Sequence, residues 1–387
     1  MRSEISNKPT PDMPDDSCEQ NTSPTKIAVF SDSLPERNGV SAYWHDLIPQ
    51  IKPRLGDIHM FQPLDKRRLL QFGFPMPGDP TQKIITPNIL RIWKEFNKLK
   101  PDLIVAVSPG PFGLLGLVLA EITNTELVTV FHTHFEAAIK LYWNDFKYQL
   151  THTYLFNVNR TLCENSNTVY TTTSELIDTV KKLKAKRVEV AGTPVAPIFL
   201  DTPLPNPPQK LTRVLFAGRL APEKNLQAII RAATKIPELE FIVIGEGPLW
   251  RQVKKRAYRL ENLTLKGWMS RKELINEFDS AQLLLLPSHE ETFGTVALEA
   301  MARGRPALVS RAAGIHDWTV LKDALLPIPK GGSVTQILRK LMEQTPEFWK
   351  QKSSDARKAA LQLNEETIDQ WVKYTDSIHH DREEPRI

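Results

Sequence analysis

Two glutamates carry the most legible chemistry in this chain. In Pro287-Ser288-His289-Glu290-Glu291-Thr292-Phe293-Gly294-Thr295-Val296-Ala297-Leu298-Glu299-Ala300-Met301-Ala302, Glu291 and Glu299 lie either side of an expected helix start. The apolar run before Pro287 reads as a buried parallel strand, and TFGTVALEAMARG reads as a helix closed by Gly304. Glu291 then sits just ahead of a helix whose first N–H groups have no intrahelical partner, so the loop suits an anion. Glu299 falls roughly 9 Å along the helix at about 1.5 Å per residue, on the scale separating sugar from ribose in a nucleotide-sugar. Two glutamates near a helix are often just solvated. Glu299, however, stands between Leu298 and Ala300-Met301, in a segment too apolar for a wet face.

A second constellation is Gly218-Arg219-Leu220-Ala221-Pro222-Glu223-Lys224-Asn225-Leu226. Gly218 ends a strand, Pro222 suits a first helical position, and Arg219 and Lys224 flank that helix start. A forked guanidinium and an ammonium beside free N–H groups fit a diphosphate leaving group. Pairing of the two cations with Glu223 and Glu291 is the structural alternative. His132 and His134, in Val130-Phe131-His132-Thr133-His134-Phe135, straddle a threonine at a strand end. No third ligand is identifiable, so a zinc site is not expected, and His132 reads as a hydrogen-bonding partner for sugar or acceptor. Asn38-Gly39-Val40-Ser41 follows the first strand, where Gly39 would permit close approach of a phosphate, or simply form a turn. No Asp-x-Asp triplet occurs for a metal–diphosphate clamp. Trp250 stands where a dinucleotide fingerprint beginning Gly245-Glu246-Gly247 would need its third glycine, and no Gly-x-Ser-x-Gly elbow is present.

The elements that must hold these residues follow from the alternation of patterns. With 387 residues, 41% hydrophobic and 25% charged, the chain has the size and composition of two globular domains. Strand-like and helix-like stretches alternate from KIAVFSDS to SELIDTVKKL, and again from RVLFAGRL to LLLLPS. The expected fold is α/β: two doubly wound Rossmann-like domains facing each other across a cleft, with ligands beyond the carboxyl ends of the strands. The expected boundaries are a disordered tail over 1–24, an N-terminal domain over 25–200, a proline-rich linker over 201–209 and a C-terminal domain over 210–362. A helix over 363–380 is expected to return to the first domain, with a tail over 381–387.

Net charge of +5 and a pI near 9.0 are too mild to imply nucleic acid. Lys66-Arg67-Arg68 and the run Lys181 to Arg187 are basic patches that suit either solvent or an anionic membrane surface. Trp143, Phe146 and Tyr148 would serve either core packing or a landing surface beside the first patch. Cys18 and Cys163 make no disulfide framework, and the polar N-terminus has no signal-peptide core, so a cytoplasmic protein is expected.

With these elements in order, the chain resembles the retaining GT-B glycosyltransferases of the group-1, glycogen-synthase-like family. NGVS, FHTH, GRLAPEKNL, IGEGP, KGW and PSHEETFGTVALEAMARGRP carry the likeness across about residues 25–310. The resemblance implies a nucleotide-sugar donor held mainly by the C-terminal domain, an acceptor held mainly by the N-terminal domain, and no required metal or cofactor. It places Arg219 and Lys224 on the diphosphate, Glu291 on the sugar hydroxyls, Thr292, Phe293 and Gly294 in backbone contact with the donor, and Glu299 on the ribose. Gly39 and Gly218 would approach the donor, His132 would face the sugar, and Trp268 and Met269 would contact the base. FSDSLPERNGVS and FHTHFEAAIKLYW look most like members that glycosylate membrane lipids, implying a peripheral enzyme at the inner face of the membrane. A soluble acceptor and a non-catalytic nucleotide-sugar-binding protein are the alternatives. Two departures stand out: Gly192-Thr193-Pro194-Val195 replaces a common Gly-Val-Asp run, and a glycine-rich stretch after Gly314 is contracted to WTVLKDALLPIP.

Overall fold

The computed structural model describes residues 25–33, 39–63, 73–76, 79–131 and 145–383. Short apolar runs such as IAVF, LIVA and LLLL are buried along their whole length, as strands of a parallel sheet covered on both faces must be. The first half supplies β1 (Ile27–Phe30), β2 (Ile58–Phe61), β3 (Gly73–Met76), β4 (Asp79–Ile85), β5 (Leu103–Ala106), β6 (Glu126–Phe131), β7 (Thr168–Thr171) and β8 (Val188–Val190). Six of these form a parallel sheet in the order β2-β1-β5-β6-β7-β8, while β3 and β4 pair antiparallel apart from it. The second half supplies β9 (Arg213–Ala217), β10 (Glu240–Ile244), β11 (Leu263–Lys266), β12 (Leu283–Leu286), β13 (Ala307–Ser310) and β14 (Leu326–Ile328). These also pair parallel, in the order β11-β10-β9-β12-β13-β14. The fold is therefore two doubly wound Rossmann-like domains, and the direction of winding reverses between β1 and β5 and between β9 and β12.

Several elements were not anticipated from the sequence: the β3–β4 pair, the helices Ile89–Leu99 and Asp145–Asn165, and the segment from β13 to the helix Val334–Met342. The helix expected from Pro222 instead opens as a 3-10 turn over Pro222–Lys224. Asn225 then adopts a left-handed φ of 52° before the helix Leu226–Lys235 begins. The helix carrying Glu299 runs Thr295–Ala302, so Glu299 lies about 6 Å from its start rather than 9 Å.

Two crossings join the domains. One is the segment after β8. The other is the helix Pro346–Glu383, which packs Trp349, Ala356 and Ala360 into the second core and Ile368, Trp371, Tyr374 and Ile378 into the first. They meet at one point. Val195 N donates to Asn364 Oδ1 at 2.8 Å, Asn364 Nδ2 to Gln50 Oε1 at 2.9 Å, and Gln50 Nε2 back to Val195 O at 3.0 Å. Gly192 passes so close to the long helix that a Cβ would lie 2.0 Å from Thr367 Oγ1.

The proline-rich segment beyond is fastened to the second domain. Arg303, whose side chain is fully buried, donates to the carbonyls of Thr202 and Pro203 at 2.6 Å each and makes a fork to Asp279 at 2.9 and 2.8 Å. Arg305 adds a bond to Asn206 O at 3.1 Å. Replacing Arg303 by Met would strand Asp279 and these carbonyls, so Arg303→Met is expected to lose about 3–5 kcal/mol of stability. Urea denaturation checks this, and an unchanged midpoint would remove the buried guanidinium from the account of the linker.

Candidate functional site

The reversal of winding between β9 and β12 leaves a crevice beyond their carboxyl ends, and the two informative motifs of the sequence lie on those two strand ends. The loops are knitted together. His289 N donates to Glu223 O at 2.7 Å, and Asn225 Nδ2, aimed by its left-handed backbone, donates to Pro287 O at 3.0 Å. Between them Lys224 Nζ meets Glu291 Oε2 at 2.5 Å, with the two side chains only 17% and 15% exposed. Ser288 Oγ lies 3.5 Å from the same carboxylate oxygen. The ion pairing weighed against a diphosphate role is thus present in this structure. It also fixes both groups at one spot in a poorly screened crevice, where each is worth more to a charged ligand than at the surface.

The neighbouring strand end packs beneath. Leu220 N donates to Glu246 O and Leu249 N to Leu220 O, at 2.8 and 2.9 Å. A Cβ on Gly245 would stand 1.9 Å from Gly218 O, and one on Gly247 2.5 Å from Leu220 O. Gly245 and Gly247 are therefore required for loop-on-loop packing, a reason distinct from dinucleotide binding. Gly218 ends β9 with Arg219 half-buried after it. At the end of β11, Trp268 is 62% exposed and Met269 half-buried. Gly294, with φ at 98°, caps the helix Thr295–Ala302, and Phe293 before it is buried.

The loop bearing Glu291 is braced from β13. Gly314 N donates to Glu291 O and Ile315 N to Phe293 O, at 3.1 Å each, and Glu291 bridges Ala313 in parallel fashion. The 3-10 turn Gly314–Asp317 in turn touches the first domain: Ser174 Oγ donates to Asp317 Oδ2 at 2.8 Å and Trp318 Nε1 to Thr172 O at 3.3 Å. The contracted stretch after Gly314 therefore still supports the site.

Glu299 is 8% exposed, and its carboxyl is pushed up to about 7, chiefly by burial. Arg271 pulls it down, and Asp46 of the first domain pushes it up. Arg271 forks onto both carboxylate oxygens of Asp46 and lies 3.7 Å from Glu299 Oε1. Neither Asp46 nor Arg271 was singled out in the sequence. They are 225 residues apart and belong to no motif; an Asp on the buried side of the first-domain helix was the only available signal.

On the first domain, Gly39 is the first residue of the helix Gly39–Leu55. His132, Asn38, Lys66-Arg67-Arg68 and Trp143 lie outside the described residues, as do the side chains of Phe146 and Tyr148. Another residue missed by the sequence reading is Asp32 after β1. It accepts from Phe112 N at 2.8 Å, Ser108 Oγ at 2.7 Å and Gly113 N at 3.3 Å, so it caps the helix Pro111–Thr123, and its burial raises its carboxyl above the ordinary value. Its charge is consumed in the fold.

Residues 204–351 match the family described as Glycosyl transferases group 1, and residues 37–197 match Glycosyltransferase Family 4. The sulfoquinovosyl transferase SQD2 of Arabidopsis thaliana is 26% identical over 256 residues, covering 63% of this chain and 49% of that protein. The chain spans about half or less of the length of the curated relatives it matches. Among solved structures, sucrose-phosphate synthase from Thermosynechococcus elongatus superposes with a TM-score of 0.71 at 17% identity, covering 92% of this chain and 100% of that one. Anabaena HepE, in complex with UDP-glucose, gives 0.63 at 16% identity over 91% and 99%. At these identities the structural likenesses establish the fold.

The raised carboxyl of Glu299 has a stability consequence with a definite sign. The folded state holds this proton more tightly than the unfolded chain, whose ordinary value is 4.5, so the contribution favours folding below that value and is lost as pH rises toward 7. Over that window the loss amounts to about 3 kcal/mol, at roughly 1.4 kcal/mol per unit. Glu299→Gln is expected to remove it, so the variant should gain on the parent protein as pH rises from 4.5 to 7. Urea midpoints across that range test this; two curves that stay parallel would contradict the assignment.

Proposed function

The chain belongs to the group 1 glycosyltransferases, a family of GT-B fold, and from that premise we propose that it moves a hexose from a nucleoside-diphosphate sugar to a hydroxyl acceptor with retention of configuration. The observation that carries this reading is the Lys224–Glu291 pair, on two loops of the second domain joined by the bonds from His289 N to Glu223 O and from Asn225 Nδ2 to Pro287 O. An ammonium has three donors, so Lys224 can keep Glu291 while giving another hydrogen bond to a diphosphate oxygen. Arg219 on the same loop would add a second cation. Glu291 would accept from the sugar hydroxyls, the N–H groups about Thr292, Phe293 and Gly294 would meet the donor, and Glu299 would hold the ribose. Trp268 and Met269, beyond the end of β11, would flank the base. His132 and Gly39 of the first domain would approach the sugar and phosphate from across the cleft.

In the proposed reaction the bond between the anomeric carbon and the diphosphate oxygen breaks, and the acceptor oxygen bonds to that carbon on the same face. The acceptor proton passes to the departing diphosphate, so no enzymic nucleophile is needed. Lys224 and Arg219 would stabilise the charge that grows on the leaving group, the role a metal plays in other transferases. The donor is a substrate in this scheme, and no cofactor takes part.

A membrane lipid is the proposed acceptor. SQD2 is named for transfer of sulfoquinovose, and in this chain the helix Ile89–Leu99 presents Ile89, Leu90 and Trp93 at 61%, 75% and 43% exposure beside exposed Lys94 and Lys98. An apolar edge flanked by lysines suits the surface of an anionic bilayer. No helix among the described residues is long and apolar enough to cross a membrane, so attachment would be peripheral. A soluble acceptor is the second reading, favoured by the likeness to sucrose-phosphate synthase.

Lys224→Ala is expected to lower turnover by about a hundred- to a thousand-fold, the cost of one preorganised charge donor, with the circular dichroism spectrum unchanged. Transfer assays over UDP-, GDP- and ADP-sugars, with and without EDTA, measure it; near-normal turnover of the folded variant would sink the role given to Lys224. Flotation with anionic liposomes decides the acceptor class. The protein should float at low salt, and a Leu90→Asp/Trp93→Asp variant should remain in the dense fraction. A parent protein that never floats would move the acceptor into solution.

A further inference from the structure

Among the described residues, most ion pairs lie within one domain. The line Asp46–Arg271–Glu299 crosses between the two domains. Asp46 lies on the helix Gly39–Leu55 of the first domain and is 2% exposed. Arg271 opens the helix Arg271–Ser280 of the second domain, after Ser270, whose side chain and Glu273 form a capping box that fixes where this helix starts. From that fixed start Arg271 reaches across the cleft and grips both oxygens of Asp46, while its Nη2 also lies 3.7 Å from Glu299 Oε1. One guanidinium is thus shared unequally between two buried carboxylates, one from each domain.

The unequal sharing matters because Glu299 is the carboxylate assigned above to the donor ribose. A carboxylate accepts hydrogen bonds from a diol, whereas its protonated form gives up one acceptor and carries no charge. The charged groups acting on Glu299 are Arg271, which favours the anion, and Asp46, which opposes it directly and also occupies the guanidinium fork. Burial supplies the largest upward push on this carboxyl, in a helix whose Ala297, Leu298, Ala300 and Met301 are fully buried. Nothing else among the described residues is placed to set its charge.

We propose that Asp46 is a positioning residue for donor binding: from the first domain, acting through Arg271, it governs the proton on Glu299 and so couples ribose binding to apposition of the two domains. When the domains are together, Asp46 holds the guanidinium and Glu299 takes up a proton near neutral pH. When Asp46 is withdrawn or neutralised, the like charge that opposes the Glu299 anion is gone, Arg271 is released from its Asp46 contact, and the anion prevails to lower pH. The inference deepens the ribose assignment and rests on it for its functional half, but the coupling of charges stands apart from any ligand.

The test has two arms. In the first, without nucleotide, the stability change caused by Glu299→Gln is measured by urea denaturation from pH 4.5 to 8.5 in three backgrounds: the parent chain, Asp46→Asn and Arg271→Gln. The midpoint of that pH dependence reports ionisation of Glu299. It should move down by about one unit in Asp46→Asn and up by about one unit in Arg271→Gln, as expected for a like and an opposite charge at close range. Because Arg271→Gln removes a charge partner from the buried Asp46 carboxylate and so costs stability, Asp46→Asn/Arg271→Gln, which removes both charges, is the second variant and should also shift upward relative to Asp46→Asn alone. Unchanged midpoints, or shifts in the same direction for both single variants, would overturn the coupling and leave a merely structural ion pair.

In the second arm, affinities for UDP, GDP and ADP are measured over the same pH range by calorimetry. The acid limb of affinity should move with the midpoints of the first arm, down in Asp46→Asn and up in Arg271→Gln, with donor KM changing more than kcat. If the midpoints move but the acid limb does not, the coupling between domains is overturned as a determinant of donor binding. If no nucleoside diphosphate binds the parent chain at any pH, the transferase reading fails, and the first arm alone still decides the charge relay.

Discussion

The geometry of the cleft depends on the one place where the chain crosses between domains twice. The closed ring of hydrogen bonds among Gln50, Val195 and Asn364 ties three segments distant in sequence, and Asn364 and Val195 are 2% and 0% exposed. Buried amides of this kind are favourable only when every partner is present, so the ring admits one relative placement of the segments far better than any other. Gly192 completes it, since any side chain there would collide with Thr367 on the crossing helix. Contacts farther up the cleft, Arg271 with Asp46 and Ser174 with Asp317, lie on elements whose separation this crossing sets.

Buried charges in the molecule divide into two kinds by what surrounds them. Arg303 has backbone carbonyls and both oxygens of Asp279 around it, and Asp32 is occupied by N–H groups and a hydroxyl. Their hydrogen-bonding capacity is turned inward, onto the linker and onto a helix terminus. Lys224 and Glu291 differ: they face each other in a crevice at strand ends, with spare donors on one and spare lone pairs on the other. A charge pair of that sort is costly to desolvate for stability alone, and apolar replacement is often neutral or better. On the proposed reading, a ligand at the topological switch point would use that spare capacity.

How much of this was legible in the sequence follows from the range of each interaction. The strands β1, β5, β9, β10 and β12 announce themselves because burial on both faces demands unbroken apolar runs, and the winding follows from their alternation with helices. The position of Glu291 ahead of a helix, and the burial of Glu299 within it, rest on local composition. The start of the helix after β9 was misplaced because Pro222 satisfies a first helical position equally well in a 3-10 turn, and the left-handed Asn225 that separates the two is chosen by its bond to Pro287 O, 62 residues away. The helix Ile89–Leu99 went unread although its N-cap Asn88 and its buried Ile92 and Phe96 follow the ordinary pattern. The Asp46–Arg271 contact had no such pattern to read, because its logic exists only once two domains meet.

The two departures from the family's usual sequence can now be weighed physically. In Gly192-Thr193-Pro194-Val195 the glycine persists where the crossing helix leaves no room for a Cβ, and Val195 contributes through its backbone N–H and carbonyl, groups common to every residue other than proline. The contraction after Gly314 likewise spares what the site uses, because the bonds to Glu291 O and Phe293 O come from the backbone N–H groups of Gly314 and Ile315. A site built on main-chain donors tolerates side-chain change around it. What it does not tolerate is a Cβ at the close approaches of Gly192, Gly245, Gly247 and Gly314, where the gap to the nearest atom is at most 2.5 Å. The sequence constraint on this architecture is therefore carried as much by the absence of side chains at a few positions as by the charged groups they allow to meet.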